Sequence, residues 1–297
     1  MSTSSPISPT AHYTGHVWAR NGLSHPALDT LEGRIMFDSL QPAMLMGRLL
    51  GRGSLESYLL ARHRAIDRLL ERAIEQHDVS QVIEVAAGLS ARGWRFVQRY
   101  GRRITYVETD LPDMAARKRR ALERMGALSE RHRVAEMDVL ADAGPASVAA
   151  VAAELDPARG LAIVTEGLVG YLPREATERM WQRFATALAG FSAGRHICHV
   201  HVRDVDALQV EALSLLLSVF VRGRVRVHYR DAAAVERALL DAGFAHVEAH
   251  SATQLLGEPA NPASRHAHVV EATACSPSLS TTTPPARGPT PSPRPCG

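Results

Sequence analysis

The chain is almost without lysine. Lys118 is the single one among 34 basic residues, and the arginines that take its place are interspersed with 31 acidic residues instead of gathering in one stretch. A net charge of +3 distributed in this way leaves no basic footprint, so no nucleic-acid partner is expected. Cysteine is scarce too: Cys198, Cys275 and Cys296 form no C-x-x-C pair, which argues against structural zinc and against a disulfide framework. No run reaches the roughly 18 to 20 uncharged apolar residues that span a bilayer. The nearest candidate, 210–221, is short and carries Glu211, and the opening MSTSSPISPT has neither the basic nor the apolar region of a secretory leader. The expectation is a protein that does not cross a membrane and works in the cytoplasm. What the sequence does have is 297 residues with 45% hydrophobic content, enough for one large domain around a buried sheet.

Residues 275–297 hold seven of the 17 prolines among Ser, Thr and Gly, a composition that cannot bury enough apolar surface to offset ordering. A disordered tail is expected there, and residues 1–10 are read alike. Helical patterns over 30–50 and 54–77 suggest an N-terminal helical cap, 11–80. From 81 to 274 short apolar runs alternate with amphipathic stretches, the pattern of a parallel sheet covered by helices. The runs are 81–85, 104–109, 133–137, 161–165, 195–202, 245–250 and 266–271; the helices between them are 92–100, 112–125, 146–154, 174–189, 205–221 and 231–242. The stretch 251–265 contains Pro259 and Pro262 and has no helical period, whereas a parallel crossover needs a helix. The last strand should therefore return antiparallel through a long hairpin. The expected fold is α/β: a seven-stranded, mostly parallel sheet with an antiparallel last strand and helices on both faces.

Chemistry is most legible where the first strand ends. Glu84 and Val85 run into Ala86-Ala87-Gly88-Leu89-Ser90 and then a helix, and small residues there let backbone approach a ligand closely. The turn does not satisfy G-x-G-x-x-G. Asp110 follows Gly88 by 22 residues, near the spacing at which a carboxylate takes the two hydroxyls of a ribose. It equally suits the cap of a helix that begins with Pro112. Glu108 points the same way from two residues earlier. After the third strand, Asp138 beside Met137 and Val139 fits either an adenine amine or an ordinary cap. On the helix from Ser54 the apolar stripe reads Leu55, Leu59, Arg62, Ile66, Leu69, Ala73. Arg62 interrupts a buried face, so it either snorkels to solvent or meets a buried anion, whereas Arg64 faces away.

In order and spacing, several segments resemble the leucine carboxyl methyltransferase family, the S-adenosylmethionine-dependent group that also includes O-methyltransferases acting on polyketides. They are Arg62-His63-Arg64-Ala65-Ile66-Asp67, the run from Val82 to Arg92, Tyr106-Val107-Glu108-Thr109-Asp110-Leu111-Pro112 with Lys118 downstream, and Thr165-Glu166-Gly167-Leu168-Val169-Gly170-Tyr171-Leu172-Pro173. The resemblance implies a Rossmann-like class I methyltransferase fold with S-adenosyl-L-methionine as cofactor and a small-molecule acceptor, methylated on a hydroxyl or carboxyl oxygen. It places Arg62 on the methionyl carboxylate, Glu84, Ala86, Ala87 and Gly88 along the methionyl chain, Asp110 on the ribose, Asp138 on the adenine, and Glu166 near the methionyl amine and the reacting centre. Two positions depart from the usual G-A-G-L-D-T-R: Ala86 stands for the first glycine and Ser90 for the aspartate. A base would help only a hydroxyl acceptor. The candidates, His199 and His201, alternate with Arg203 toward the end of the fifth strand, where packing beneath helices is the competing reading. A metal there lacks a third ligand. Tyr171 either lines the acceptor pocket or packs. Two rival readings are an NAD-dependent oxidoreductase, disfavoured by the turn and the last strand, and a non-catalytic binding protein on the same fold.

Overall fold

A computed structural model describes residues 9–49, 55–203, 226–257 and 267–275. Seven strands, β1 (Val79–Val85), β2 (Thr105–Asp110), β3 (His132–Glu136), β4 (Gly160–Thr165), β5 (Gly194–Val200), β6 (Phe244–Ser251) and β7 (His268–Ala274), make one sheet in the order β3-β2-β1-β4-β5-β7-β6. The pairs β1–β2, β2–β3, β1–β4 and β4–β5 are parallel, while β7 lies antiparallel between β5 and β6. The chain order reverses between β1 and β4, so the carboxyl ends of these strands open a crevice suited to a ligand.

Among the described residues the α-helices are α1 (Pro9–Arg20), α2 (Leu31–Leu49), α3 (Leu55–Gln76), α4 (Arg92–Tyr100), α5 (Pro112–Arg124), α6 (Val148–Ala153), α7 (Arg174–Leu188), α8 (Ala232–Asp241) and α9 (Ala252–Leu256). Every residue of β4 is buried, as expected of a strand covered on both faces. On one face Val82, Tyr106, Ala162, Val164 and Ile197 pack against Leu59, Ile66 and Leu69 of α3 and Phe96 of α4. On the other, Ile83, Val107, Ile163 and Cys198 meet Val151 of α6, Trp181 and Phe184 of α7 and Leu239 of α8. The helix read as part of a cap thus packs directly on the sheet, and its stripe of Leu55, Leu59, Arg62, Ile66, Leu69 and Ala73 is wholly buried. Arg64 is exposed.

The seven strands and the antiparallel return match the expectation, with three local differences. The helix α1 begins at Pro9, inside the stretch read as disordered, because its Tyr13, Val17 and Trp18 join the main core. The strand β5 stops at Val200, two residues early, and Val202 makes an isolated bridge to Tyr229. The connection after β6 starts with a short helix, α9, built by a capping box of Ser251 and Gln254 and closed by Gly257 in the left-handed region. The expected helix 205–221, Pro259 and Pro262, and nearly all of the terminal stretches lie outside the described residues. Among the described residues no helix is long and apolar enough to cross a membrane.

Candidate functional site

The turn after β1 is built from backbone, not side chains. Ala86 and Gly88 both have positive φ, 52° and 51°, which folds the chain back on itself at the crevice. The Ala87 amide donates to Thr109 O (2.9 Å), joining the turn to β2. The Gly88 amide donates to Asp110 Oδ2 and the Leu111 amide to Asp110 Oδ1, both at 2.8 Å. Each carboxylate oxygen keeps a second acceptor direction, so the predicted diol partner sits against the predicted turn. Burial raises the Asp110 pKa above the ordinary carboxylate value, more than the two amides lower it. A methyl on Gly88 would lie 3.3 Å from Ala11 Cβ, so α1 packs over this turn.

Glu108, the alternative to Asp110, is corrected by its surroundings. Fully buried, it pairs with Lys118 and with His132 Nε2 (2.6 Å), while Lys118 also donates to Ser90 O. Burial alone would raise its pKa, but Lys118 and His132 hold it below the usual range. This triad pins the turn from beneath and leaves Glu108 no role in the crevice. Asp138 is half-buried; its Oδ1 accepts from the Leu140 amide (2.9 Å), so one of its oxygens serves as a turn cap.

The charges of α3 and the β4 loop converge on Glu166. Arg62 Nε donates to Glu166 Oε1 (2.9 Å), His63 Nδ1 reaches Oε2 (2.8 Å), and Arg92 Nη2 donates to Oε2 (2.6 Å). Arg62 therefore meets a buried anion, though one supplied by the protein. Burial would raise the Glu166 pKa, but His63, Arg62 and Arg92 together hold it well below the carboxylate range. Arg92 is fully buried and also donates from Nε to Asp67 Oδ1 and from Nη1 to Glu84 Oε1, each at 2.6 Å. Glu84 is completed by the Tyr106 hydroxyl (2.9 Å) and Asp67 by Arg95 Nη2 (2.6 Å). Glu84 thus anchors the network below the turn.

The two histidines at the end of β5 meet a third group that the pattern did not reveal. The Tyr58 hydroxyl lies 2.7 Å from His199 Nε2 and 3.2 Å from His201 Nδ1, bringing both rings to the α3 side of the sheet. Tyr58 precedes Arg62 by one helical turn. Burial, with Arg62 and His268 nearby, lowers the His201 pKa to about 3; burial and the neighbouring His201 push His199 well below its ordinary value. Arg203, expected on the same face, is instead exposed, with its amide on Tyr229 O. Tyr171 donates to Thr10 Oγ1 of α1 at 3.0 Å. Among the described residues no group of His, Cys, Asp or Glu is placed to hold a metal ion.

The fold thus brings Arg62, Glu84 and Glu166 into one network, sets Ala86, Ala87, Gly88 and Asp110 at one turn, and gathers His199 and His201 at Tyr58. The sequence reading missed Tyr58, His63, Asp67, Arg92 and Arg95. One signal was present for Arg92: a cation in the first turn of a helix opposes the helix dipole and implies a dedicated partner.

Residues 29–185 match the family model described as Leucine carboxyl methyltransferase. A relative from Mycobacteroides abscessus, named as an S-adenosyl-L-methionine-dependent methyltransferase, is 31% identical over 181 residues, covering 60% of this chain and 54% of the relative. Another so named, from Frankia alni, is 41% identical over 103 residues, 34% of this chain and 32% of the relative. The chain spans about a third to a half of the length of these relatives. Among solved structures, a duf574 family protein from Streptomyces avermitilis aligns with a TM-score of 0.63 at 12% identity, covering 89% of this chain and 97% of that one. A protein from Thermobifida fusca, titled as a methyltransferase, aligns at 0.59 and 16% identity, covering 92% and 99%. At such identities the likeness is one of fold.

Proposed function

Because the chain belongs to the leucine carboxyl methyltransferase family, we propose that it is an S-adenosylmethionine-dependent methyltransferase acting on a hydroxyl or carboxyl oxygen of a small molecule. The observation that carries this reading is the donor set along one sheet edge. A carboxylate seated on a tight turn suits the ribose diol, a guanidinium suits the methionyl carboxylate, and an ionised Glu166 suits the methionyl ammonium.

S-adenosylmethionine, when bound, supplies an electrophilic methyl group on a sulfonium. The protein's part is to hold, align and exclude water. Asp110 and the backbone of Ala86, Ala87 and Gly88 hold the nucleoside end; Arg62 and Glu166 hold the amino-acid end; Asp138 retains one oxygen for the adenine. Tyr171 lines the acceptor side beneath α1. One of His199 and His201 accepts the hydrogen bond of an acceptor hydroxyl and orients it without taking its proton, since burial holds both imidazoles well below their ordinary pKa. A carboxylate acceptor needs no base.

Thermal unfolding tests the reading against its rivals, because a ligand at 100 times its dissociation constant adds about 2.7 kcal/mol. S-adenosylhomocysteine should raise Tm and NAD should not; the reverse overturns the proposal. Asp110→Ala and Arg62→Ala should each weaken S-adenosylhomocysteine in calorimetry while the protein stays folded, and unchanged affinity in both removes the site assignment. Incorporation of labelled methyl into an acceptor panel separates an enzyme from a binding protein.

A further inference from the structure

Arg92 opens α4, at the helix end where a cation is least favoured, and is 0% exposed. Its three nitrogens go to three carboxylates from three parts of the chain: Asp67 on α3, Glu84 on β1 and Glu166 after β4. Such a group is not needed for stability, since well-packed apolar residues commonly replace buried ion clusters without loss. What a planar, fully engaged guanidinium supplies is orientation.

We propose that Arg92 is a positioning residue that keeps the receptor for the cofactor's amino-acid end open, acting through Glu166 on Arg62. With Oε2 of Glu166 committed to Arg92 and His63, only Oε1 is left for Arg62, and it takes Nε alone. The Nη nitrogens of Arg62 then lie over Gly167, 3.4 and 3.5 Å from where a methyl would stand on that residue, and take no hydrogen bond among the described residues. They are the two parallel donors a carboxylate requires. Released from Arg92, Glu166 is free to turn and close on the Arg62 fork itself, and the protein's own carboxylate then occupies the place of the ligand's. Three guanidiniums, of Arg62, Arg92 and Arg95, stand against the three carboxylates, so a zwitterionic amino-acid group enters without unbalancing the cluster.

The proposal rests on the reading of Arg62 and Glu166 given above, and the test separates the two. Calorimetry compares S-adenosylhomocysteine with 5′-methylthioadenosine, which has the same nucleoside and thioether but no amino-acid group. Arg92→Lys keeps the charge and cannot reach three partners; it should narrow the preference for S-adenosylhomocysteine by about tenfold and leave methylthioadenosine affinity within about twofold. Asp67→Asn loosens the Nε anchor, together with the Arg95 contact, while the Glu84 and Glu166 anchors of Arg92 stay, and should narrow it by about threefold; if Arg92→Lys does not fold, this variant decides. Equal weakening of both ligands, or no change in the ratio, overturns the proposal and leaves Arg92 a structural residue. If Glu166→Gln narrows the ratio and the Arg92 and Asp67 variants do not, the receptor stands and the positioning role falls. If none of the three narrows it, both fall.

Discussion

Ala86 carries a methyl at φ 52°, a region where L-residues with a side chain are strained and glycine is not. The same turn uses Gly88 at φ 51° without that cost. Ala86→Gly should therefore stabilise the protein by roughly 0.5 to 1 kcal/mol, net of the extra freedom glycine brings to the unfolded chain. Urea denaturation checks this, and a loss of stability would mean that the methyl's packing against the α7-side core outweighs the strain. The second departure has its explanation in the network. Ser90 Oγ accepts the Arg92 amide (3.1 Å), and Arg92 already has three carboxylates, so a fourth at position 90 is not required. Residues of this kind differ in how far the sequence discloses them. Asp110 was legible because its partner, Gly88, lies at a spacing set by one β-α-β passage. Arg62 was legible because it broke an apolar stripe. Arg92 was not, because Asp67, Glu84 and Glu166 meet it only through the fold.

The strand β5 shows how an element can concentrate a pH response. It carries His196, stacked on Phe244 and edge-on to Phe184 with Nδ1 donating to Ile163 O (3.0 Å), and His199, with His201 just beyond. Burial lowers the His196 pKa to about 4 and that of His201 to about 3, against 6.5 for the free group. Between 6.5 and those values the unfolded chain binds protons that the native chain refuses, so stability is full above 6.5 and falls as the pH drops toward 4 and 3. By pH 5 the loss from His196 is on the order of 2 kcal/mol. His196→Gln should flatten the slope of stability against pH in that window by up to about 1.4 kcal/mol per unit, whatever it does to the neutral-pH value. An unchanged slope would show that His196 is protonated in the native state. The helix α4 is constrained otherwise: a methyl on Gly93 would sit 2.5 Å from Glu108 Oε1 and 2.9 Å from His132 Nε2, both fully buried. Gly93→Ala should cost about 1 to 3 kcal/mol in denaturant unfolding. Elements with strong periodicity, such as α3 and the strands, were readable; α1 was not, since its buried side includes His12 and Gly15 beside Tyr13, Val17 and Trp18, a face without an apolar pattern.

Taken whole, the molecule is a sheet whose strand count and antiparallel return were foreseeable and a closure that was not. Seven apolar runs, with a proline-bearing stretch before the last, were enough to place an antiparallel strand at the chain's end. The way α1 lies across the crevice was hidden, because it depends on single contacts between distant residues: Ala11 over Gly88, Gly15 on Leu89, Thr10 to Tyr171, and Trp18 stacked on His63 with ring centres 4.3 Å apart. One of these can be removed alone. Tyr171→Phe should accelerate S-adenosylhomocysteine dissociation by about three- to tenfold with little change in Tm, measurable by stopped flow; an unchanged rate would mean that the Thr10 contact does not hold α1 over the ligand.

The position of β7, last of the described strands yet paired on both sides, governs how the protein can be made. While the ribosome is still working from Val200 to Ala274, roughly 4 to 15 s at ordinary elongation rates, β5 ends in an unpaired edge and β6 has nothing to join. A nascent chain in that interval is a five-stranded fragment with a sticky border, and a chain cut short before His268 should yield inclusion bodies instead of a weakened protein.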